Sequence, residues 1–217
     1  MRLEAQIMKS NAVKSYALEL DWSAQTILPI EFRGRELHLE ARAYQGHDPH
    51  NQAFVLIHRA NQANSELPVV RVHSGCITGD IFHSLKCDCY PQLQAALETI
   101  TTSPLGVLIY LPYHEGRGIG IVNKIRAYAL QDQGYDTVDA NVAVGAPIEA
   151  RTYDLAAHIL FDLGLPDIRL LTNNPAKVDA LRAEGINVIE RLPVVCTPNA
   201  HNVRYLETKK ARMAHAL

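Results

Sequence analysis

Between residues 89 and 191 short apolar runs alternate with amphipathic stretches, and glycine or proline marks most of the junctions. Val107-Leu-Ile-Tyr-Leu111 follows the turn Ser103-Pro-Leu-Gly106 and reads as a buried strand. Pro91 suits the first turn of a helix, where its missing N–H costs nothing, and residues 92–100 continue that helix. Residues 121–133 carry a helical period that stops at Gly134, and residues 153–163 carry another that stops at Gly164 before Pro166. Residues 168–172 form a strand, Pro175 opens a helix that reaches residue 184 before Gly185, and residues 187–191 form the last clear strand. Such alternation predicts a partly parallel sheet with covering helices, whose ligands collect at the carboxyl ends of the strands.

Upstream the period is two. Arg35-Glu-Leu-His-Leu-Glu-Ala-Arg-Ala43 alternates polar and apolar residues, and residues 53–57 and 67–72 are short apolar runs separated by turn-forming stretches. A small N-terminal antiparallel sheet is expected there, which makes the whole a mixed α/β (α+β) chain. Residues 1–25 lack a clear period and are expected to be an N-terminal extension to one domain spanning 26–217. With 217 residues, 47% hydrophobic and 20% charged, the chain has an ordinary globular composition. Its net charge of −2 argues against a general nucleic-acid binder. No stretch has the length or apolarity of a membrane span or secretion signal, so a soluble cytoplasmic protein is expected.

The cysteines carry the chemistry. Cys76, Cys87 and Cys89 lie within fourteen residues, while Cys196 is more than a hundred residues further on. In a reducing compartment such a cluster points to metal or catalysis rather than to a disulfide. Three thiolates can hold Zn2+ and leave its fourth tetrahedral position open, the arrangement of a hydrolytic site. His73 or Cys196 could instead close the set and make it structural. Cys87-Asp-Cys89 lacks the two-residue spacer of a redox pair.

Three loops accompany the cluster. His114-Glu-Gly-Arg-Gly-Ile-Gly120 joins a strand end to a helix start, and its glycines would let backbone N–H groups approach an anion that Arg117 also grips, although tight turning alone explains many such loops. Thr172-Asn-Asn-Pro-Ala-Lys177 repeats the position, with Thr172 and Lys177 free for phosphate or the whole stretch a plain turn and cap. Glu149 and Arg151 follow Gly145-Ala-Pro147 and read, in isolation, as a surface ion pair.

Arg71-Val-His-Ser-Gly-Cys-Ile-Thr-Gly-Asp80, Leu85-Lys-Cys-Asp-Cys89, Glu115-Gly-Arg-Gly-Ile-Gly120, the run from Asn123 to Thr137, and Leu170-Leu-Thr-Asn-Asn-Pro175 together resemble GTP cyclohydrolase II. The resemblance covers roughly residues 67–215. It implies hydrolysis of GTP to formate, pyrophosphate and a ring-opened diaminopyrimidine ribosyl phosphate, the first step toward riboflavin. It further implies one zinc per subunit on Cys76, Cys87 and Cys89, whose water attacks C8 of the imidazole ring, and Mg2+ on the nucleotide phosphates. Substrate contacts are implied for Arg71, Val72, His73, Ser74, Gly75, Gln92, Glu115, Gly116, Arg117, Thr137, Thr172 and Lys177. Arg151 matches an arginine nucleophile, Glu149 a proton-accepting aspartate, and Tyr128 a tyrosine that carries the ring-opened intermediate onward. The resemblance also implies a homodimer.

The sequence departs from the family's pattern at Gly75, where glutamate is usual, and at Tyr90-Pro91, where Gly-Phe is usual. The stretch from Tyr110 to Glu115 is one residue longer. Two rival expectations follow: the same zinc chemistry on the base of another nucleotide, and a non-catalytic nucleotide-binding module with structural zinc.

Overall fold

The computed structural model describes residues 21–60, 66–147 and 149–213. Its centre is one seven-stranded sheet in the order β1-β2-β3-β5-β4-β6-β7. The strands are β1 (Asp21–Phe32), β2 (Arg35–Gln45), β3 (Gln52–Arg59), β4 (Val69–Ser74), β5 (Leu105–Leu111), β6 (Asp167–Leu171) and β7 (Asn187–Leu192). The expected N-terminal sheet and the later partly parallel one are therefore continuous. β1, β2, β3 and β5 pair antiparallel, whereas β4 pairs parallel with both β5 and β6, and β6 pairs parallel with β7. β1 opens at Asp21, so the last residues of the expected extension belong to the hairpin, and the earlier ones lie outside the described residues.

Period-two alternation sends side chains to two different layers. From β3 and β5, Val55, Ile57, Val107 and Ile109 face the larger core with Leu155, Ile159 and Leu160 of α4 (Asp154–Asp162) and Val178 and Leu181 of α5 (Pro175–Ala183). Their neighbours Leu56 and Leu108 turn to the opposite face and meet Ile100 of α1 (Cys89–Thr102) with Leu39 and Ala41 of β2. Each such buried aliphatic side chain stabilises the fold by about 1.5–3 kcal/mol. The sheet is thus helix-covered on both faces, and its parallel half directs the ends of β4, β5 and β6 to one edge.

The helices begin where the sequence offers caps. Asn174 accepts the Ala176 N–H at 3.0 Å, with Pro175 in the first turn of α5. Asp136 accepts the N–H groups of Val138 and Asp139 at 2.7 and 2.8 Å and opens α3 (Thr137–Ala143), a helix the periodicity did not reveal. α2 (Gly120–Asp132) ends as expected just before Gly134. The amphipathic α6 (Val203–Met213) was likewise unanticipated.

Candidate functional site

The chain leaves β4 at Ser74 and makes one wide turn over Ile77–Ile81 before α1 begins at Cys89. This loop brings the ligand atoms of Cys76, Cys87 and Cys89 within 4.8 Å of one another. The Cys76 and Cys87 sulfurs are 3.8 Å apart, and two thiolates each ~2.3 Å from a tetrahedral zinc lie roughly 3.8 Å from one another. Packing forbids a side chain at the centre of the turn. A Cβ on Gly79 would stand 2.8 Å from Cys89 Cβ, 2.9 Å from Cys87 Sγ and 3.0 Å from Cys76 Sγ. All four cysteines are free, and among the described residues neither His73 nor Cys196 joins the cluster. A three-thiol donor set with an open fourth position fits zinc.

Polar groups behind the loop hold it in shape. The buried Asp80 carboxylate accepts the Cys76 N–H at 2.9 Å and the Tyr110 hydroxyl at 3.0 Å, and lies 3.1 Å from His73 Nε2. Glu115 accepts the Ile77 N–H at 2.6 Å, the Gly116 N–H at 2.9 Å and the Lys124 ammonium at 2.6 Å. Lys124 also donates to Cys76 Sγ at 2.9 Å. Burial pulls the Lys124 pKa down, but the Tyr128 ring 5.8 Å away, the Cys76 thiolate and Glu115 outweigh it and hold the ammonium charged. The neighbouring thiols and then Lys124 favour the thiolate form of Cys76. Tyr90, one of the departures from the family's pattern, stacks on His83 of the same loop with ring centroids 3.7 Å apart.

The cavity wall is also cationic. Arg71, Arg117, Arg151, Lys177 and Lys209 all line it. Arg71 is buried, with Nη1 donating to the Leu171 carbonyl at 3.0 Å and Nη2 to Gln92 Oε1 at 2.7 Å, while its Nε has no partner. Arg117 lies in the left-handed backbone region at φ 66°, a conformation that costs a non-glycine residue roughly 1–3 kcal/mol. Both its terminal nitrogens are buried without a hydrogen-bond partner. Lys177 gives its ammonium to the Val72 carbonyl at 2.5 Å, and burial, Arg71 and Arg151 push its pKa well below the ordinary lysine value. Buried donors of this kind are costly until an anion meets them.

Arg151 and Glu149 form more than a surface pair. Arg151 Nε donates to Glu149 Oε1 at 2.7 Å, Nη2 contacts Oε2, and Nη1 reaches Ser74 Oγ at 3.3 Å. Burial alone would lower the Arg151 pKa, but Glu149 raises it, and Arg151 in turn keeps Glu149 ionised below the usual carboxylate range. Tyr128, on α2, lines the cavity, and burial raises its pKa so that the phenol stays protonated.

Of the residues expected at the site, Arg71, His73, Ser74, Gly75, Gln92, Gly116, Arg117, Thr137, Thr172 and Lys177 line one cavity together with Arg151, Tyr128 and the three cysteines. Val72 takes part through its carbonyl, its side chain being fully buried in the core. Glu115 and Glu149 lie behind the lining and act through Lys124 and Arg151. Gly75 is forced by the neighbouring segment, because a Cβ there would meet Pro112 Cα at 2.9 Å.

Sequence reasoning did not single out His114, Lys124, Asp88, Tyr205 or Lys209, all of which line the cavity. His114 Nδ1 lies 3.2 Å from Ser74 Oγ, and burial with the nearby cations Arg151 and Lys177 pushes its pKa down to about 3. Lys209 of α6 donates to the buried Asp88 carboxylate at 2.9 Å, which Gln92 also reaches at 2.5 Å. The one available signal was a lysine on the inward side of an amphipathic helix, at positions 124 and 209.

A family model described as GTP cyclohydrolase II matches residues 23–193. The chain is 52% identical over 163 residues to the riboflavin biosynthesis protein RibBA of Nocardia farcinica, which covers 75% of this chain and 39% of that protein. It is 55% identical over 147 residues to the GTP cyclohydrolase-2 of Acinetobacter baumannii, covering 68% of this chain and 73% of that protein. The chain spans 39% and 36% of the length of the RibBA relatives from Nocardia farcinica and Mycobacteroides abscessus. The crystal structure of RibBX, a two domain 3,4-dihydroxy-2-butanone 4-phosphate synthase from A. baumannii, aligns with a TM-score of 0.43 and 17% identity over 90% of this chain and 49% of that one, a likeness too slight to carry an argument. α6, with Tyr205 and Lys209, lies beyond the segment that the family model matches.

Proposed function

The chain belongs to the GTP cyclohydrolase II family, and from that premise we propose that it opens the imidazole ring of GTP by hydrolysis, releasing formate and pyrophosphate and leaving a diaminopyrimidine ribosyl phosphate for riboflavin synthesis. The observation that carries this reading is a single cavity lined both by three clustered thiols and by buried guanidinium nitrogens without hydrogen-bond partners. A neutral substrate would leave those cations unmatched, whereas a triphosphate accompanied by Mg2+ satisfies them.

Cys76, Cys87 and Cys89 would hold one zinc ion, which when bound supplies Lewis acidity and activates water for hydrolysis. Arg71, Arg117 and Lys177 bind and orient the phosphates, with Thr172 and Thr137 as neutral donors beside them. Ser74 sits within reach of both Arg151 and His114 and fixes their relative positions. In the proposed nucleophilic role, Arg151 loses a proton to Glu149, the carboxylate in contact, as its nitrogen bonds to the α-phosphorus and the bond from that phosphorus to the departing pyrophosphate breaks. The resting ion pair opposes early loss of that proton, since a guanidinium pKa is above ~12. Tyr128 remains a proton donor facing the cavity. Gly116, Gln92, His73, Gly75 and the Val72 carbonyl complete the substrate surround.

A homodimer is proposed on the exposed apolar side chains Ile81, Phe82 and Leu85 of the thiol loop and Val122 of α2, which a partner copy would cover. No helix among the described residues is long and apolar enough to cross a membrane. The free thiols suit a reducing compartment, and a cytoplasmic location is proposed on that ground.

The test is the zinc-loaded chain with Mg2+ and GTP, following formate and pyrophosphate together. Stoichiometric appearance of both is expected, and Cys87→Ser should abolish both with the fold retained. Inert GTP with zinc bound would overturn the proposal.

A further inference from the structure

The Lys124 ammonium lies 2.9 Å from Cys76 Sγ and 2.6 Å from Glu115 Oε1, with its side chain almost wholly buried on the inward side of α2. Glu115 is itself fixed by two backbone donors, one of them the N–H of Ile77, the residue after Cys76. Carboxylate, ammonium, thiol and backbone thus close a ring around a single cysteine. An ion pair alone would be satisfied without the sulfur, because the carboxylate already holds the ammonium. The lysine is aimed past Glu115 to the thiol.

We propose that Lys124 is a positioning residue that tunes the metal site, donating a charge-assisted N–H···S hydrogen bond to Cys76 that Glu115 orients. This rests on the reading of the three thiols as zinc ligands. A cation on a thiolate withdraws electron density from the sulfur and weakens its donation to a bound metal. Groups behind metal ligands commonly act in this way. Cys76 becomes the weakest donor of the three, and the bound metal the stronger Lewis acid.

The experiment loads the full chain with Co2+ and records the thiolate-to-cobalt charge-transfer band in the near ultraviolet. Lys124→Met keeps apolar bulk and removes the donor, so the band should move to lower energy. Lys124→Arg should restore part of the shift. With zinc, kcat of Lys124→Met should fall by about 10–100-fold, a typical size for a lost partner of a metal ligand, while the KM for GTP changes little. An unmoved band in a folded, cobalt-loaded Lys124→Met overturns the inference and leaves the metal reading standing. Absence of any thiolate band in the wild type overturns both. Should Lys124→Met fail to fold, the crystal structure of the cobalt-loaded wild type decides. Nζ within hydrogen-bond reach of Cys76 Sγ supports the inference, and Nζ beyond that reach overturns it.

Discussion

The two sides of the cavity are built on opposite principles. On the thiol side the charged groups find partners within the loop and its backing, although His73 Nδ1 stays unpaired: Asp80 holds the Cys76 N–H, Glu115 the Ile77 N–H, and Lys124 bridges Glu115 to sulfur. On the cationic side, Arg71 Nε and both terminal nitrogens of Arg117 stay buried with no partner. A network satisfied from within is rigid and can keep a ligand permanently. One with orphaned donors is held ready for a ligand that comes and goes, and the folded chain bears the cost in the meantime. Loss of a thiol-side group should therefore disturb the metal site, whereas loss of a cationic group should damage binding and leave the fold unharmed.

The strongest challenge to this contrast is Gly79→Ala. Its methyl group would overlap two sulfurs and the Cys89 Cβ, so metal content, measured by elemental analysis, should fall to near zero and turnover with it. Retention of one zinc per chain would mean that the thiol side is more pliant than its packing implies.

Arg117→Met probes the other side. Pyrophosphate affinity, measured by calorimetry, should weaken by about 1.5–3 kcal/mol, the value of a hydrogen bond to a charged group. Thermal stability without ligand should stay level or rise, because two buried donors without hydrogen-bond partners have been removed. A clear drop in melting temperature would erase the distinction between the two walls.

His114 sharpens the picture through pH. Its pKa is held at about 3 in the folded chain against 6.5 when unperturbed. Below pH ~6.5 the unfolded chain therefore binds the additional proton, and stability is lost by about 1.4 kcal/mol per pH unit as pH falls toward 3. His114→Gln should flatten that part of the profile in denaturant titrations run at a series of pH values.

The smallest effect is expected at the exposed Lys86–Asp132 ion pair beside the thiol loop. Lys86→Ala should cost under ~1 kcal/mol in the same titrations.

Much of this was legible beforehand where a residue acts through its own local pattern. The strand–helix alternation from residue 89 onward gave elements whose ends agree with the structure to within a residue or two, because period, caps and glycine stops are local properties. α3 and α6 escaped notice. The first is seven residues long, too short to display a period, and the second is strongly polar outside the residues that meet the cavity. The three cysteines announced themselves by spacing, and Arg71, Arg117 and Lys177 by their place beside strand ends. Lys124 and Lys209 did not, since each resembles any surface lysine until its helix is packed. Tyr90 and Gly75 looked like alterations of the pocket. In the structure Tyr90 stacks on His83 of the thiol loop, while Gly75 clears the approach of Pro112.

Taken alone, the sequence determined which segments are strands and helices, which three sulfurs can share a metal, and which family's chemistry the chain resembles. Those properties depend on residue type and on spacing along the chain. Only the tertiary structure decided that the antiparallel hairpin strands and the parallel strands make one sheet. It also decided that Arg151 lines the cavity with Glu149 held behind it, and that a buried ammonium rests on one of the three thiols. Such relations join residues far apart in the chain, 48 positions for Lys124 and Cys76 and 77 for Arg151 and Ser74. Burial turns such encounters into chemistry, because it removes the water that would otherwise screen a charge or satisfy a donor.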